Sequence, residues 1–111
     1  MIDALTAEPI AKPLVRTLTL LSTHRLFVGD LNTPVSVQLW RDWETTRLTA
    51  EVSHGIRTPL LANIHIPSVP KHRDDAVEGL QGIIDDYEGV FLLATMAGHI
   101  PVESWLVPVA Q

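Results

Sequence analysis

Five histidines, His24, His54, His65, His72 and His99, are the first residues of this chain whose chemistry would matter. Neutral imidazole is a common metal ligand, and its protonation changes near neutral pH. Their spacing does not suggest a metal centre: none pair as H-x-H or H-x3-H, no H-E-x-x-H occurs, and two prolines separate His65 from His72. Were a metal held, His65, His72 and Asp74 would be the first ligands to examine; the expectation is that no metal or other cofactor is bound. Ser53-His54 has the residue types of a nucleophile and its base. Neighbours on a strand point to opposite faces, so the sequence predicts that these two cannot serve each other. G-x-S-x-G, the P-loop and G-x-G-x-x-G are all absent. Asp85, Asp86 and Glu88 place carboxylates on a helix, where consecutive positions diverge, and they read as a solvated face. No catalytic set converges, so an enzyme is the less favoured reading.

Two groups of binding candidates remain. Trp40 falls out of phase with Val37 and Leu39, on the opposite face of their strand, and Trp43 sits in the following loop. Two tryptophans on or near an otherwise polar face mark a contact surface, unless the N-terminal segment or the C-terminal tail covers them. Trp105 reads instead as an anchor of the tail. The second group is His54, Arg57 and His65, which would line a pocket between sheet and helix with Arg57 as an anion clamp.

These residues have to be positioned by the elements around them. Residues 1–13 read as a loose arm interrupted by Pro9 and Pro13, and residues 14–111 as a single domain. Leu14 to Leu21 has strand composition, Leu26 to Val28 is a short second strand, and Gly29 to Pro34 is a turn. The clearest β pattern alternates Val35, Val37 and Leu39 with Ser36, Gln38 and Trp40. Leu48, Ala50 and Val52 alternate in the same way with Arg47, Thr49 and Glu51. Asp42 to Thr46 holds no glycine, which predicts a hairpin with a loop of four or five residues. Leu60 to Ile66 is a further strand candidate, ended by Pro67 and Pro70.

A helix then starts at an Asp74 or Asp75 cap. Val77, Leu80, Ile83, Ile84, Tyr87, Phe91 and Ala94 keep i, i+3, i+4 spacing, the stripe of a helix lying on a core. A rival reading ends this helix at Glu88 and makes Val90 to Met96 a buried strand; the phase of Phe91 and Ala94 favours one helix over 75–97. Gly79, Gly82 and Gly89 each cost roughly 1 kcal/mol relative to alanine. They lie off the predicted stripe, either as tolerated surface glycines or as points where another backbone or helix comes close. Gly98 and Pro101 close the helix, and Pro108 confines Trp105 to Val109 to an edge strand or a tail. The expected fold is α+β: an antiparallel sheet of three to five strands with one long C-terminal helix packed on one face.

Charge is divided sharply along the chain. All eight basic residues lie in residues 1–73 beside six acidic ones, whereas residues 74–111 carry seven acidic residues and no basic one. The net charge of −5 disfavours nucleic acid as a primary ligand, since phosphate binding needs clustered Lys and Arg. No apolar run of about 18 residues suggests a membrane span. The absence of cysteine excludes disulfides and fits a reducing compartment, and the acidic start lacks the pattern of a signal peptide. A cytoplasmic protein is the default.

From about Val35 onward the order of elements, a strand meander, a connection and one long helix, resembles the HicB-like antitoxin domain. Asp74-Asp75-Ala76 opens the helix as acidic residues often do in that family, and Gly98-His99-Ile100-Pro101-Val102-Glu103-Ser104 is similar to its closing turn and Ile-Pro step. Pro67 to His72 stands where the family usually has a Gly- and Ser-containing segment. The resemblance implies the same fold and, with the split charge and the tryptophan pair, a non-enzymatic protein-binding module. Such a module would act as a homodimer or with a small protein partner. The alternative is a small-molecule binder or small enzyme using a pocket between sheet and helix.

Overall fold

The alternation in Val35–Asp42 is carried directly into the architecture, because this strand becomes the centre of a three-stranded sheet. The computed structural model describes residues 15–71 and 75–109. The N-terminal arm, His72, Asp74 and the final two residues therefore lie outside the described residues. β1 (Leu18–Leu26), β2 (Val35–Asp42) and β3 (Leu48–Val52) are antiparallel in the order β1-β2-β3. Val35, Val37 and Leu39 of β2 are completely buried, and Val52 and Leu48 of β3 lie beside them. Each such side chain contributes about 1.5–3 kcal/mol on leaving water.

β1 is longer than the sequence suggests. The polar Ser22-Thr23-His24, read as a break between two short strands, stays in the ladder and pairs with Leu39, Gln38 and Val37. Main-chain pairing with β2 decides this; Thr23 faces water, and Ser22 and His24, half-buried on the same side, bond to each other at 2.9 Å. A bulge between Leu20 and Ser22 makes Leu21 the extra residue.

The β2–β3 hairpin has the expected five-residue connection, Trp43 to Arg47. Asp42 organises it. One carboxylate oxygen accepts the backbone N–H groups of Glu44 at 2.8 Å and Thr45 at 3.2 Å, an Asx-type turn that replaces the missing glycine. Thr46 takes the left-handed conformation at φ 60°.

After β3 the chain breaks at Ser53 and enters β4 (His54–Ile56), which pairs with β5 (Leu106–Pro108) in a separate two-stranded sheet. Pro108 sits at the strand end opposite His54, where a missing N–H is tolerated. Leu60 to Ile66 is not a strand: His65 alone bridges Ile56. The reason is local. Thr58 is buried and draws the N–H groups of Leu60 and Leu61 to its hydroxyl and carbonyl, turning the chain before pairing can run on.

Helix α1 runs unbroken over Ala76–Met96, so Val90 to Met96 is helix and not strand. Asp75 is the cap, its carboxylate accepting Val77 N–H at 2.6 Å. Gly98, at φ 96°, turns the chain out, and His99 N–H returns to the Ala94 carbonyl. Ile83, Tyr87, Phe91 and Ala94 form the buried side, with Phe91 edge-on to Trp105 at 5.2 Å. The stripe is rotated from its predicted position. Val77 is 76% exposed, whereas Gly79 and Gly82 are buried. A Cβ at Gly79 would run into Leu48 Cδ2, so this glycine is where β3 approaches the helix. Gly89 has open space and is the tolerated surface glycine. The whole is α+β: an antiparallel three-stranded sheet, a small second sheet, and one long helix packed against them.

Candidate interaction surface

β1 occupies the outside of its sheet, and among the described residues no strand pairs with its outer edge. Nine residues of edge backbone are thus offered, without proline or lysine to blunt them. Its leucines are open to solvent among the described residues: Leu18, Leu20 and Leu21 are each about two-fifths exposed, and Phe27 just beyond is 58% exposed. The register puts Leu20 opposite Trp40, so both project from the sheet face turned away from α1. Trp40 is half-buried, with its indole N–H enclosed and without a hydrogen-bond acceptor among the described residues. Trp43 is 69% exposed and donates its indole N–H to Thr19 Oγ1 at 2.5 Å. Thr19 pairs with Arg41, on the side of the sheet that carries Leu39, so Trp43 lies on the opposite face from Trp40 and the two do not form one patch. Sequence reasoning singled out the tryptophans but missed the edge. Its signal was present in Leu18-Thr19-Leu20-Leu21, whose leucines outnumber what one buried face can take.

Where β1 ends, an apolar cleft of about 610 Å³ opens between Leu26-Phe27-Val28 and the helix residues Ile84, Phe91 and Leu92. This is a pocket between sheet and helix, but His54, Arg57 and His65 do not line it. Those three lie around β4. The Tyr87 hydroxyl donates to the His54 carbonyl at 2.6 Å, and burial, then the charge of Asp86, pushes the Tyr87 phenol above its ordinary value. His65 Nε2 reaches both carboxylate oxygens of Asp86 at 2.9 Å, tying the segment after β4 to the helix. Sequence had flagged His65 and Asp86 separately, 21 residues apart, with nothing to pair them. Arg57 is exposed, its backbone N–H on the Trp105 carbonyl.

Ser53 and His54 correct one expectation: Ser53 Oγ lies 2.7 Å from His54 Nδ1. Strand alternation does not keep them apart, because Ser53 stands at the break between β3 and β4. The hydroxyl also accepts Ser36 N–H at 2.8 Å, so it serves as a tie between β2 and the start of β4. Neither residue lines either of the two concavities described for this protein.

Among the described residues no three His, Asp or Glu side chains are grouped to hold a metal ion, and no helix is long and apolar enough to cross a membrane. Two carboxylates instead act as structural clamps. Asp42, almost wholly buried, receives Arg16 Nε at 2.9 Å and Nη2 at 2.8 Å on one oxygen. That guanidinium, followed by the turn N–H groups, holds its carboxyl below the ordinary value. Glu103 accepts Asn32 N–H, Thr33 N–H and the Thr33 hydroxyl, and these bonds lower its pKa likewise. Comparison with protein-family models, with curated proteins and with solved structures found no match.

Proposed function

We propose that this protein is a non-enzymatic protein-binding module that works by self-association or with a small protein partner, in the manner of an antitoxin-like domain. The edge of β1, unpaired among the described residues and with three exposed leucines, carries this reading. An antiparallel edge is complementary to a second copy of itself about a two-fold axis, and pairing would continue the sheet across the interface. The second copy is therefore the first-choice partner. β1 holds His24 and Arg25 and no acidic residue, while α1 holds four acidic residues and no basic one, so each copy presents both signs of charge.

Sedimentation velocity over a concentration series tests it. The expected result is a reversible dimer, converted to monomer by Leu20→Lys with Thr23→Lys, while the far-UV spectrum stays unchanged. A wild-type chain that is monomeric throughout would remove self-association; a dimer that ignores both lysines would move the interface off β1. A second reading, a binder of a small apolar molecule, is favoured by the cleft beside Phe27 and Leu92. Protection of Phe27 or Leu92 methyl and ring resonances by such a molecule, in a monomer, would support it.

A further inference from the structure

A second concavity, of about 310 Å³, lies elsewhere on the molecule and has the opposite character. Arg16, Arg47 and Lys71 line it together with Thr45 and Thr49; among the described residues no acidic or aromatic side chain does. Three of the eight basic residues of a chain with net charge −5 thus meet at one hollow.

Each is brought there by structure already described. Arg16 is fixed by Asp42, which takes two of its five N–H groups on a single oxygen and leaves the others free to face a ligand. Arg47 follows the left-handed Thr46 at the end of the hairpin turn, and its backbone N–H is held by Thr45 Oγ1. Lys71 closes a segment pinned by the fully buried Pro67 and by Val69, which packs beside Leu48 and Gly79. The buried Leu48 lines the hollow between them. Asp42 neutralises part of the Arg16 charge, whereas among the described residues no ion pair explains why Arg47 and Lys71 meet beside it.

We propose that this hollow binds a small phosphorylated ligand through its phosphoryl or diphosphate group. Guanidinium and ammonium donors with flanking threonine hydroxyls suit the several acceptor oxygens of such a group. The volume stands at the lower end of small-molecule sites. The lack of an aromatic platform for base stacking favours a small molecule over a nucleic-acid strand. Arg16 lies just before β1 and Thr49 pairs with Trp40, so the titration is made on both the wild type and the Leu20→Lys, Thr23→Lys variant to keep its result apart from association.

The experiment is titration of the full chain with inorganic pyrophosphate at low ionic strength, by calorimetry and by ¹H–¹⁵N spectra. The expected result is saturable binding with shifts confined to Thr45, Arg47, Thr49 and Lys71, weakened about tenfold or more by Arg47→Ala and by Lys71→Ala. Both side chains are exposed, so thermal melts should show each variant folded. Arg57→Ala is the rival arm. Loss of binding there and not in Arg47→Ala would place the anion at Arg57 and overturn the proposal, as would equal loss in all three variants or no saturation. An oligonucleotide bound through these residues that pyrophosphate does not displace would also overturn it.

Discussion

Replacing two glycines of the same helix by alanine should have different effects on stability. Alanine gains about 1 kcal/mol over glycine at either interior position, chiefly because the unfolded chain has less backbone freedom to lose. At Gly89 nothing lies within 4 Å of the new Cβ, so that gain should appear nearly whole. At Gly79 the Cβ would run into Leu48 Cδ2, and Val69 Cγ1 would stand 3.6 Å away. Leu48 is only 7% exposed, and any move it makes must be taken up by the hollow it lines with Val69. Overpacking of this kind costs about 1–3 kcal/mol, so Gly79→Ala should range from about neutral to ~2 kcal/mol destabilising. The two variants should therefore differ by about 1–3 kcal/mol, or roughly 4 °C in melting temperature per kcal/mol for a chain of this length. Urea unfolding with a common slope, supported by thermal melts, measures the difference. Leu48→Ala should then cost less in the Gly79→Ala background than alone, a coupling that a double-mutant cycle reads. Equal stabilisation by both alanines, with no coupling to Leu48, would refute the docking of the helix through Gly79.

The remaining predictions concern the clamps and the surface. Asp42 and Glu103 are both held below their ordinary values, so the unfolded chain takes up protons before the folded one does. The stability they confer is full above the ordinary carboxyl range near pH 4 and is lost as pH falls below it through the depressed folded values. Asp42→Asn should lower stability at pH 7 and flatten the acid limb of a denaturation-against-pH curve; an unchanged limb would discard the Arg16–Asp42 clamp. Tyr87→Phe removes one hydrogen bond to the His54 carbonyl and should cost about 0.5–1.5 kcal/mol in urea unfolding, leaving secondary structure intact. Trp40→Ala should weaken self-association in sedimentation without unfolding the monomer, and unchanged association would place Trp40 outside the interface.

What the sequence alone determined about this protein is what local chemistry determines. The two-residue period of Val35-Val37-Leu39 set the central strand, the cap at Asp75 and the turn at Gly98 bounded the helix, and Phe91 and Ala94 kept it helical through residues that could also suit a strand. Trp40 was legible as a face candidate because strand alternation alone assigns a face, and Trp43 because it falls in the following loop. The rest depended on partners distant in sequence. β1 absorbs a polar segment because β2 supplies its hydrogen bonds, and Thr58 captures the N–H groups that a strand over Leu60 to Ile66 would have needed. Helix α1 turns Gly79 inward because Leu48, 31 residues earlier, requires room there; a helical wheel sees only the helix's own side chains. The junction at Ser53 likewise brought serine and histidine together against the alternation rule. Arg16, Arg47 and Lys71 are far apart in sequence and converge only after the hairpin, the strand entry and the Pro67–Val69 anchor are folded. Spacing along a chain reports which groups can share a face, but which groups share a place is fixed by burial and hydrogen bonding between elements, and only the tertiary structure decides that.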